Sequence, residues 1–288
     1  SAMQKHGHCV LHPLTGRYAN QETWTLKYAL VDNVRTEAFP NGRGICPSCY
    51  RETQSKCGLK NAHHWAHLPN QNCGAFWENE TQWHRDWKSY WDDKYQEIVQ
   101  RDSLTNEKHI ADVLVPIDSF DSGSECNNLA IEFQNSPMSE VELISRESFY
   151  KNMVWVVNGE SFKSNFRLGA KLPNPLHKRT HDFCIQSKPF DENYFMYFRH
   201  SDKKPDSKLV EYFSSLDMHD FIESNYAGHH NFEWSRPRYI WFKATKPVYL
   251  DFGEGWLARL ARFNPNSCHC VQLVSKRNFI EALGGKFA

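Results

Sequence analysis

Apolar and polar positions alternate in short runs along the chain, and the spacing of apolar residues changes between strand-like and helical periods. Between residues 77 and 159 this pattern predicts, in order, a helix, three strands, a second helix and a fourth strand. Outside that segment, WTLKYALV, PVYLDF and CHCVQLV are typical of strands, and KRNFIEAL is typical of a short helix. The pattern therefore predicts a mixed α/β protein with an αβββαβ core.

Three regions differ in pattern and composition. Residues 1–74 combine strand-like runs with a concentration of Cys and His, which predicts a small β-rich module suited to a metal ion. Residues 75–160 contain the predicted αβββαβ core. Residues 161–288 begin with a basic stretch that contains Pro173 and Pro175, which predicts a linker, and end in an α+β pattern.

Composition excludes several classes of protein. The 288 residues are 40% hydrophobic and 14% aromatic, enough for a sizeable core. No run of 18 apolar residues and no charged-then-apolar leader occurs, so we expect a cytoplasmic protein without a membrane partner. Nine cysteines in a long chain favour reduced thiols and metal binding over a disulfide framework. The 34 basic and 34 acidic residues cancel, so a polyanion must be bound by a local patch.

The segment CPSCYRETQSKCGLKNAHHWAHLPNQNC contains the spacing of a structural zinc site. Cys46 and Cys49 can present two thiolates to one tetrahedral ion, and His64 and His67 can supply the other two ligands. Three further residues are alternative ligands, namely Cys57, His63 and Cys73. The other interpretations are ordinary buried thiols and a redox-active Cys pair.

The helix predicted in WENETQWHRDWKSYW carries two rows of side chains. Its tryptophans, at positions 83, 87 and 91, recur every four residues and predict core packing. Beside them, Glu80, His84 and Lys88 form a second row with the same spacing. That row is either a solvated ion-pair face or part of a functional site.

Two predicted strands each contain an acidic residue among apolar neighbours. Asp112 lies in HIADVLV, and Glu132 lies in IEFQNSP, where side-chain alternation places Glu132 and Gln134 on one face. Paired carboxylates repel each other, and a divalent cation that prefers oxygen ligands, typically Mg²⁺, removes this repulsion by binding to both. The alternative is that both acids pair with lysines or with backbone amides.

The best candidate for a polyanion-binding patch is the segment 161–181, which contains five cations and no acid. Its basic residues are Lys163, Arg167, Lys171, Lys178 and Arg179. Phe162 and Phe166 are interleaved with them, so the segment could follow a phosphate backbone and stack on bases. A solvated basic linker would have the same composition.

Several motifs occur in an order that resembles a known family. They are CPSC, HHWAH, ETQWHRDWK, HIADV, IEFQNSPMS and RESFYKNMVWVVNG, and they span Cys46 to Gly159. In this order they resemble the CoiA-like competence proteins. Asp112 followed by Glu132-Phe133-Gln134 also resembles the PD-(D/E)XK nuclease superfamily in an E-x-Q form, with Gln134 in place of the usual lysine.

The resemblance implies a restriction-endonuclease-like core with a zinc-ribbon-like module before it and an α+β extension after it. It implies that Asp112 and Glu132 ligate Mg²⁺ or Mn²⁺ together with the Phe133 carbonyl, and that Glu80 completes that shell. Gln134 would position the attacking water or contact the phosphate. The candidate DNA contacts are His84, Lys88, Arg146, Tyr150, Lys163 and Arg167.

The function implied by the resemblance is hydrolysis of DNA by a metal-dependent deoxyribonuclease. The setting would be transformation, recombination or defence against foreign DNA, with DNA as the partner and recombination proteins as further partners. The alternative is a DNA-binding or scaffold protein of the same fold that assists recombination proteins without cutting DNA.

Overall fold

The computed structural model describes residues 25–58, 63–69, 80–117, 128–185, 196–203, 210–263 and 269–287. Within these ranges the chain forms three β-sheets and four α-helices. No helix in the described ranges has the length and hydropathy that crossing a membrane requires.

The N-terminal module is a six-stranded antiparallel sheet. Its strands are β1 (Thr25–Leu26), β2 (Tyr28–Val31), β3 (Val34–Glu37), β4 (Arg43–Ile45), β5 (Glu52–Lys56) and β6 (His64–His67), in the spatial order β1-β6-β5-β4-β2-β3. Trp65 is fully buried in its small core, where Leu26, Ala29 and Cys46 pack around it. The predicted β-rich module is therefore present.

The αβββαβ order predicted for the centre of the chain is confirmed. Its elements are α1 (Gln82–Lys88), β7 (Gln96–Arg101), β8 (Lys108–Pro116), β9 (Asn128–Gln134), α2 (Glu140–Phe149) and β10 (Met153–Asn158). The first helix is shorter than the sequence predicted, because it ends at Lys88. Trp91 lies beyond its end and is nevertheless buried with Trp87.

The C-terminal half adds the remaining elements. They are β11 (Phe166–Pro173), β12 (Phe183–Ile185), β13 (Met196–Arg199), β14 (Tyr212–Ser214), α3 (His219–Ser224), β15 (Tyr226–Trp234), β16 (Val248–Asp251), β17 (Trp256–Arg262), β18 (His269–Ser275) and α4 (Lys276–Ala282). Strands β12, β13 and β14 form a small sheet of their own.

One nine-stranded sheet joins the core to the C-terminal half, in the order β11-β15-β18-β17-β16-β10-β9-β8-β7. Strand β10 pairs in parallel with both β9 and β16, and the other pairs are antiparallel. The sheet is thus continuous across the predicted boundary at residue 160. The prediction of a linker after that boundary is wrong, because residues 160–165 form a 3₁₀ helix and residues 166–173 form edge strand β11.

Side chains on the two faces of this sheet belong to different apolar clusters. Ile131 and Phe133 pack with Trp87 of α1 and Phe279 of α4. On the other face, Ala130 and neighbouring core residues pack against α2. Because side chains alternate along β9, Glu132 and Gln134 lie on the face covered by α2.

Candidate functional site

Two acids on neighbouring strands form the centre of the candidate site. Val113 lies opposite Ile131 in the antiparallel register of β8 and β9, so the next positions, Asp112 and Glu132, are adjacent on the other face. Asp112 Oδ2 accepts a hydrogen bond of 2.9 Å from the Phe133 backbone N–H. Glu132 is only 1% exposed, and its Oε1 has no donor among the described residues. The predicted acid pair is therefore assembled.

Helix α2 brings Arg146 onto this pair. The helix starts at the cap residue Ser139, whose Oγ accepts from the Glu142 N–H at 3.2 Å. Arg146 Nη1 donates to Glu132 Oε2, and its Nη2 lies 3.0 Å from Glu142 Oε1. Burial raises the pKa of Glu132 to about 8, although the Arg146 guanidinium acts in the opposite direction.

Arg146 and Tyr150 were predicted as DNA contacts, and the structure places both in the interior. The Arg146 side chain is 11% exposed and forms a buried ion pair instead of a phosphate contact. Tyr150 is 5% exposed, and its hydroxyl has no hydrogen-bond partner among the described residues. Burial first and the nearby Glu132 second raise the pKa of Tyr150. Contact of either residue with DNA would require α2 to move.

Lys88, the last residue of α1, forms ion pairs with two carboxylates. Its Nζ forms ion pairs with Glu80 Oε1 and, at 2.8 Å, with Glu97 Oε1. Arg85 lies 3.7 Å from the other Glu80 oxygen. Burial opposes the charge of Lys88, but Glu97, Asp112 and Glu80 outweigh burial and raise its pKa. Lys88, predicted as a DNA contact, is 3% exposed and acts as an internal counter-ion.

Glu97 is a member of this cluster that the sequence did not reveal. It lies on β7 with a φ of 48°, in the left-handed region that residues with a side chain rarely adopt. Its Oε2 accepts from the Lys27 backbone N–H at 3.3 Å, so the N-terminal module contacts the cluster directly. We call Glu80, Glu97, Asp112 and Glu132, with Lys88 and Arg146, the acid cluster. A cleft of about 430 Å³ opens beside Glu80 and Lys88.

His84 connects α1 to β9. Its Nδ1 accepts from the Thr81 backbone N–H at 3.2 Å as part of a capping box. The neutral ring then carries its proton on Nε2, which donates to the Phe133 carbonyl at 3.1 Å. His84 is 4% exposed, so a DNA contact by this residue would also require movement of the helix. The Phe133 carbonyl, expected as a metal ligand, already accepts from His84.

Gln134 is held in the turn that follows β9. Its Nε2 donates to the Ser136 carbonyl at 3.1 Å and lies 3.3 Å from the Ser136 hydroxyl. The side chain is 4% exposed. The amide is thus oriented by the chain itself, on the same face as Glu132.

Three of the four predicted zinc ligands lie together in the N-terminal module. Ligand atoms of Cys46, Cys49 and His67 all lie within 4.8 Å of one another, and we call these residues the Cys/His group. Cys49 Sγ is 3.2 Å from His67 Nε2. The turn after Cys46 is closed by a 2.9 Å hydrogen bond from the Tyr50 N–H to the Cys46 carbonyl. This group could hold a metal ion such as zinc.

His64 is not a member of the Cys/His group. It lies on β6 three residues before His67, and an odd separation along a strand directs two side chains to opposite faces. His64 was predicted from a ligand spacing that is typical of turns, but His64 and His67 both lie on a strand. Cys57 and His63 are also outside the group, and Cys73 lies outside the described residues.

Two family models match the chain. A model described as competence protein CoiA, N-terminal domain, matches residues 33–76, and a model described as competence protein CoiA, nuclease-like domain, matches residues 104–231. Together they cover more than half of the chain. The chain belongs to the CoiA-like competence protein family. No curated protein and no solved structure gives a match.

The two matched segments of this CoiA-like protein contain most of the residues described above. The N-terminal segment includes the whole Cys/His group, and the nuclease-like segment includes Asp112, Glu132 and Arg146. Glu80 and Glu97 lie between the two segments, so the family models do not cover them, and their ion pairs with Lys88 make them members of the acid cluster.

Three of the five cations in the basic segment of this CoiA-like protein pair with acids from distant parts of the chain. Three ion pairs of 2.8, 2.8 and 3.0 Å join Lys163 to Glu254, Arg167 to Glu233 and Lys171 to Glu223. Phe162, expected to stack on bases, is 4% exposed and stacks on Trp234 instead. That expectation for Phe162 is wrong. The predicted DNA contacts of Lys163 and Arg167 stay predictions.

Proposed function

We propose that this protein is a cytoplasmic, metal-dependent deoxyribonuclease that acts on DNA in transformation, recombination or defence. The observation that carries the proposal is the adjacency of Asp112 and Glu132, together with the buried Glu132 Oε1 that lacks a donor among the described residues. A buried carboxylate oxygen without a partner is costly, and a bound cation would compensate it.

The residues present fit a divalent cation in part. Asp112 and Glu132 would hold Mg²⁺ or Mn²⁺, which would supply a Lewis acid for the phosphate and for water. Glu80 would complete the site through its ion-pair link to Lys88. Gln134, fixed by Ser136, would orient the attacking water. The Phe133 carbonyl accepts from His84 with one of its two lone pairs, so a metal ion would share this oxygen with the imidazole.

DNA is the proposed partner, with recombination proteins as further partners. Lys163 and Arg167 are exposed, and their ion pairs with Glu254 and Glu233 are exposed as well. Exposed pairs contribute only about 0–1 kcal/mol each, so a DNA phosphate could replace either acid at low cost. In the same proposal, zinc occupies the Cys/His group as a structural ion.

A second candidate function is a DNA-binding scaffold that assists recombination proteins without cutting DNA. The ion pair between Arg146 and Glu132 favours this alternative, because the guanidinium occupies one of the two Glu132 oxygens. If that pair is permanent, the acid cluster stabilises the fold and binds no catalytic ion.

The test compares cleavage of linear, nicked and single-stranded DNA with and without Mg²⁺. We expect the wild-type protein to cut at least one substrate only with Mg²⁺, and Asp112→Asn to abolish that cleavage. Asp86→Asn is the matched control, because it removes one carboxylate from the exposed side of α1 and should leave cleavage unchanged. Wild-type protein that binds all three DNAs and cuts none would reject the nuclease in favour of the scaffold.

A further inference from the structure

A row of polar side chains crosses the C-terminal half of the nine-stranded sheet between two apolar clusters. Leu257 and Val274 lie opposite each other and belong to the cluster covered by α1 and α4. Ala261 and Cys270, also opposite each other, belong to the cluster covered by α3 and the three-stranded sheet. Between these pairs, on the same face because side chains alternate, Arg259 lies opposite Gln272.

The row extends across four strands. Cross-strand partners follow one another from His229 on β15 to Gln272 on β18, to Arg259 on β17 and to Tyr249 on β16. We call these four residues the polar strip. Arg259 Nη1 lies 3.4 Å from Gln272 Oε1, and Gln272 Nε2 donates to the Ala227 carbonyl at 3.2 Å. Gln272 therefore holds the guanidinium in place.

Arg259 has no carboxylate partner within ion-pair distance among the described residues, and its buried Nε has no acceptor there. Its side chain is half-buried. This sets it apart from Lys163, Arg167 and Lys171 in the same half of the protein, each of which pairs with a glutamate. A half-buried cation without a counter-charge is costly, and a bound anion would remove that cost.

His229 supplies a second unsatisfied group in the polar strip, across Gln272 from Arg259. It is 4% exposed, and its Nδ1 has no hydrogen-bond partner among the described residues. Burial first and the Arg259 charge second lower the pKa of His229 to about 4, so the ring is neutral at neutral pH. A neutral imidazole can donate one N–H to an anion.

We propose that the polar strip binds an oxyanion of the phosphate class, with the guanidinium of Arg259 and the ring of His229 as donors. The planar fork of arginine suits a tetrahedral oxyanion, and a ring N–H from the side adds a third direction of contact. The strip crosses strands β15 to β16, whereas Asp112 and Glu132 lie on β8 and β9 and on the other face of the sheet, so this site is separate from that acid pair and does not depend on DNA cleavage. The phosphate could belong to a nucleic-acid end or to a free phosphate compound.

The first experiment titrates inorganic pyrophosphate into the full-length protein by calorimetry. We expect saturable binding to the wild type and binding about tenfold weaker or more in Arg259→Gln, because a charge-assisted hydrogen bond is lost. Arg262→Gln is the matched control, since Arg262 is an exposed arginine at the end of the same strand. It should bind pyrophosphate like the wild type.

A second variant protects the test from a folding failure. Arg259→Lys keeps the charge but loses the fork, so it should fold and bind more weakly than the wild type. Equal pyrophosphate affinities in the wild type, Arg259→Lys and Arg259→Gln would overturn the proposal, and so would an absence of saturable binding to the wild type.

The source of the phosphate is distinguished with two oligonucleotides of one sequence, one with a 5′-phosphate and one with a 5′-hydroxyl. Tighter binding of the phosphorylated strand by the wild type, lost in Arg259→Gln, supports a nucleic-acid end as the ligand. Equal binding of both strands, with pyrophosphate binding intact, supports a free phosphate compound. In either case Arg262→Gln should behave like the wild type.

Discussion

In the Cys/His group, thiols and an imidazole lie within 4.8 Å of one another around a turn and the end of a strand. The four carboxylates of the acid cluster form no group of three within that distance, and Lys88 and Arg146 lie among them as internal cations. The difference follows from charge. Thiols and neutral imidazoles can be buried at moderate cost, whereas a buried carboxylate requires a counter-charge.

The two groups offer a metal ion different ligands. The Cys/His group offers two thiols and an imidazole, which are ligand types that zinc accepts. A divalent ion at Asp112 and Glu132 would compete with the Arg146 guanidinium for Glu132. The acid cluster therefore contains its own counter-charges, and a metal ion at Asp112 and Glu132 would bind less tightly by the energy of that ion pair.

The largest expected effect comes from removing Arg146, the internal cation that pairs with Glu132. Above pH 8, where Glu132 is ionised in the folded protein, Arg146→Met leaves that charge buried beside Asp112 without compensation, and we expect the free energy of unfolding to fall by about 3–5 kcal/mol. Chemical denaturation of the metal-free protein measures this change.

The control for that experiment is Glu142→Gln, which removes the other and more exposed partner of Arg146. It should change stability by no more than about 1 kcal/mol. If Arg146→Met is as stable as Glu142→Gln, the guanidinium does not compensate Glu132, and the contrast between the two groups is lost.

Removing a thiol should have the next largest effect. The wild type should contain about one zinc per chain, a ratio that follows from one tetrahedral site, and Cys46→Ser should contain almost none. With free zinc near a hundred times the Kd, the loss of bound metal should lower stability by about 2.7 kcal/mol. Metal analysis and a melting curve measure the two quantities.

Cys57→Ser is the matched control, because Cys57 is a thiol of the same module outside the Cys/His group. It should retain zinc. Equal zinc loss in both variants would mean that the three residues within 4.8 Å are not sufficient to define the site.

The sequence could predict the adjacency of Asp112 and Glu132 because two local rules determine it. Alternation assigns each acid to a face of its strand, and strands that follow each other along the chain usually pair. The order of helices and strands also follows from local residue patterns, so the sequence could predict it as well. The partner of Glu132 could not be predicted, because Arg146 reaches it only when α2 packs on the sheet.

The other features that the sequence did not predict correctly also depend on the tertiary structure. Glu97 enters the acid cluster through a left-handed backbone conformation that no residue pattern indicates. The basic segment lacks acids only in sequence, since Glu233 and Glu254 approach Arg167 and Lys163 from 66 and 91 positions away. His64 was misassigned because a ligand spacing typical of turns was applied to a strand. Tertiary packing decides all of these features.

The most gradual expected effect is a dependence of stability on pH that belongs to the acid cluster alone. The pKa of Glu132 is about 8 in the folded protein, against roughly 4.3 in an unfolded chain. Between these values the folded state holds a proton that the unfolded state has released. Stability should therefore decrease as pH rises through this window, by at most about 1.4 kcal/mol per pH unit from this group.

Glu132→Gln should remove that part of the slope, because the amide does not titrate. The measurement is urea denaturation of metal-free protein at several pH values between 5 and 8, comparing slopes and not absolute stabilities, since Gln also leaves Arg146 without its anion. Cys46→Ser is the control, and its slope should equal that of the wild type because the Cys/His group lies in another sheet. An equal slope in Glu132→Gln would mean that Glu132 is ionised throughout this range, held so by Arg146, and that the acid cluster is a permanent ion-pair network.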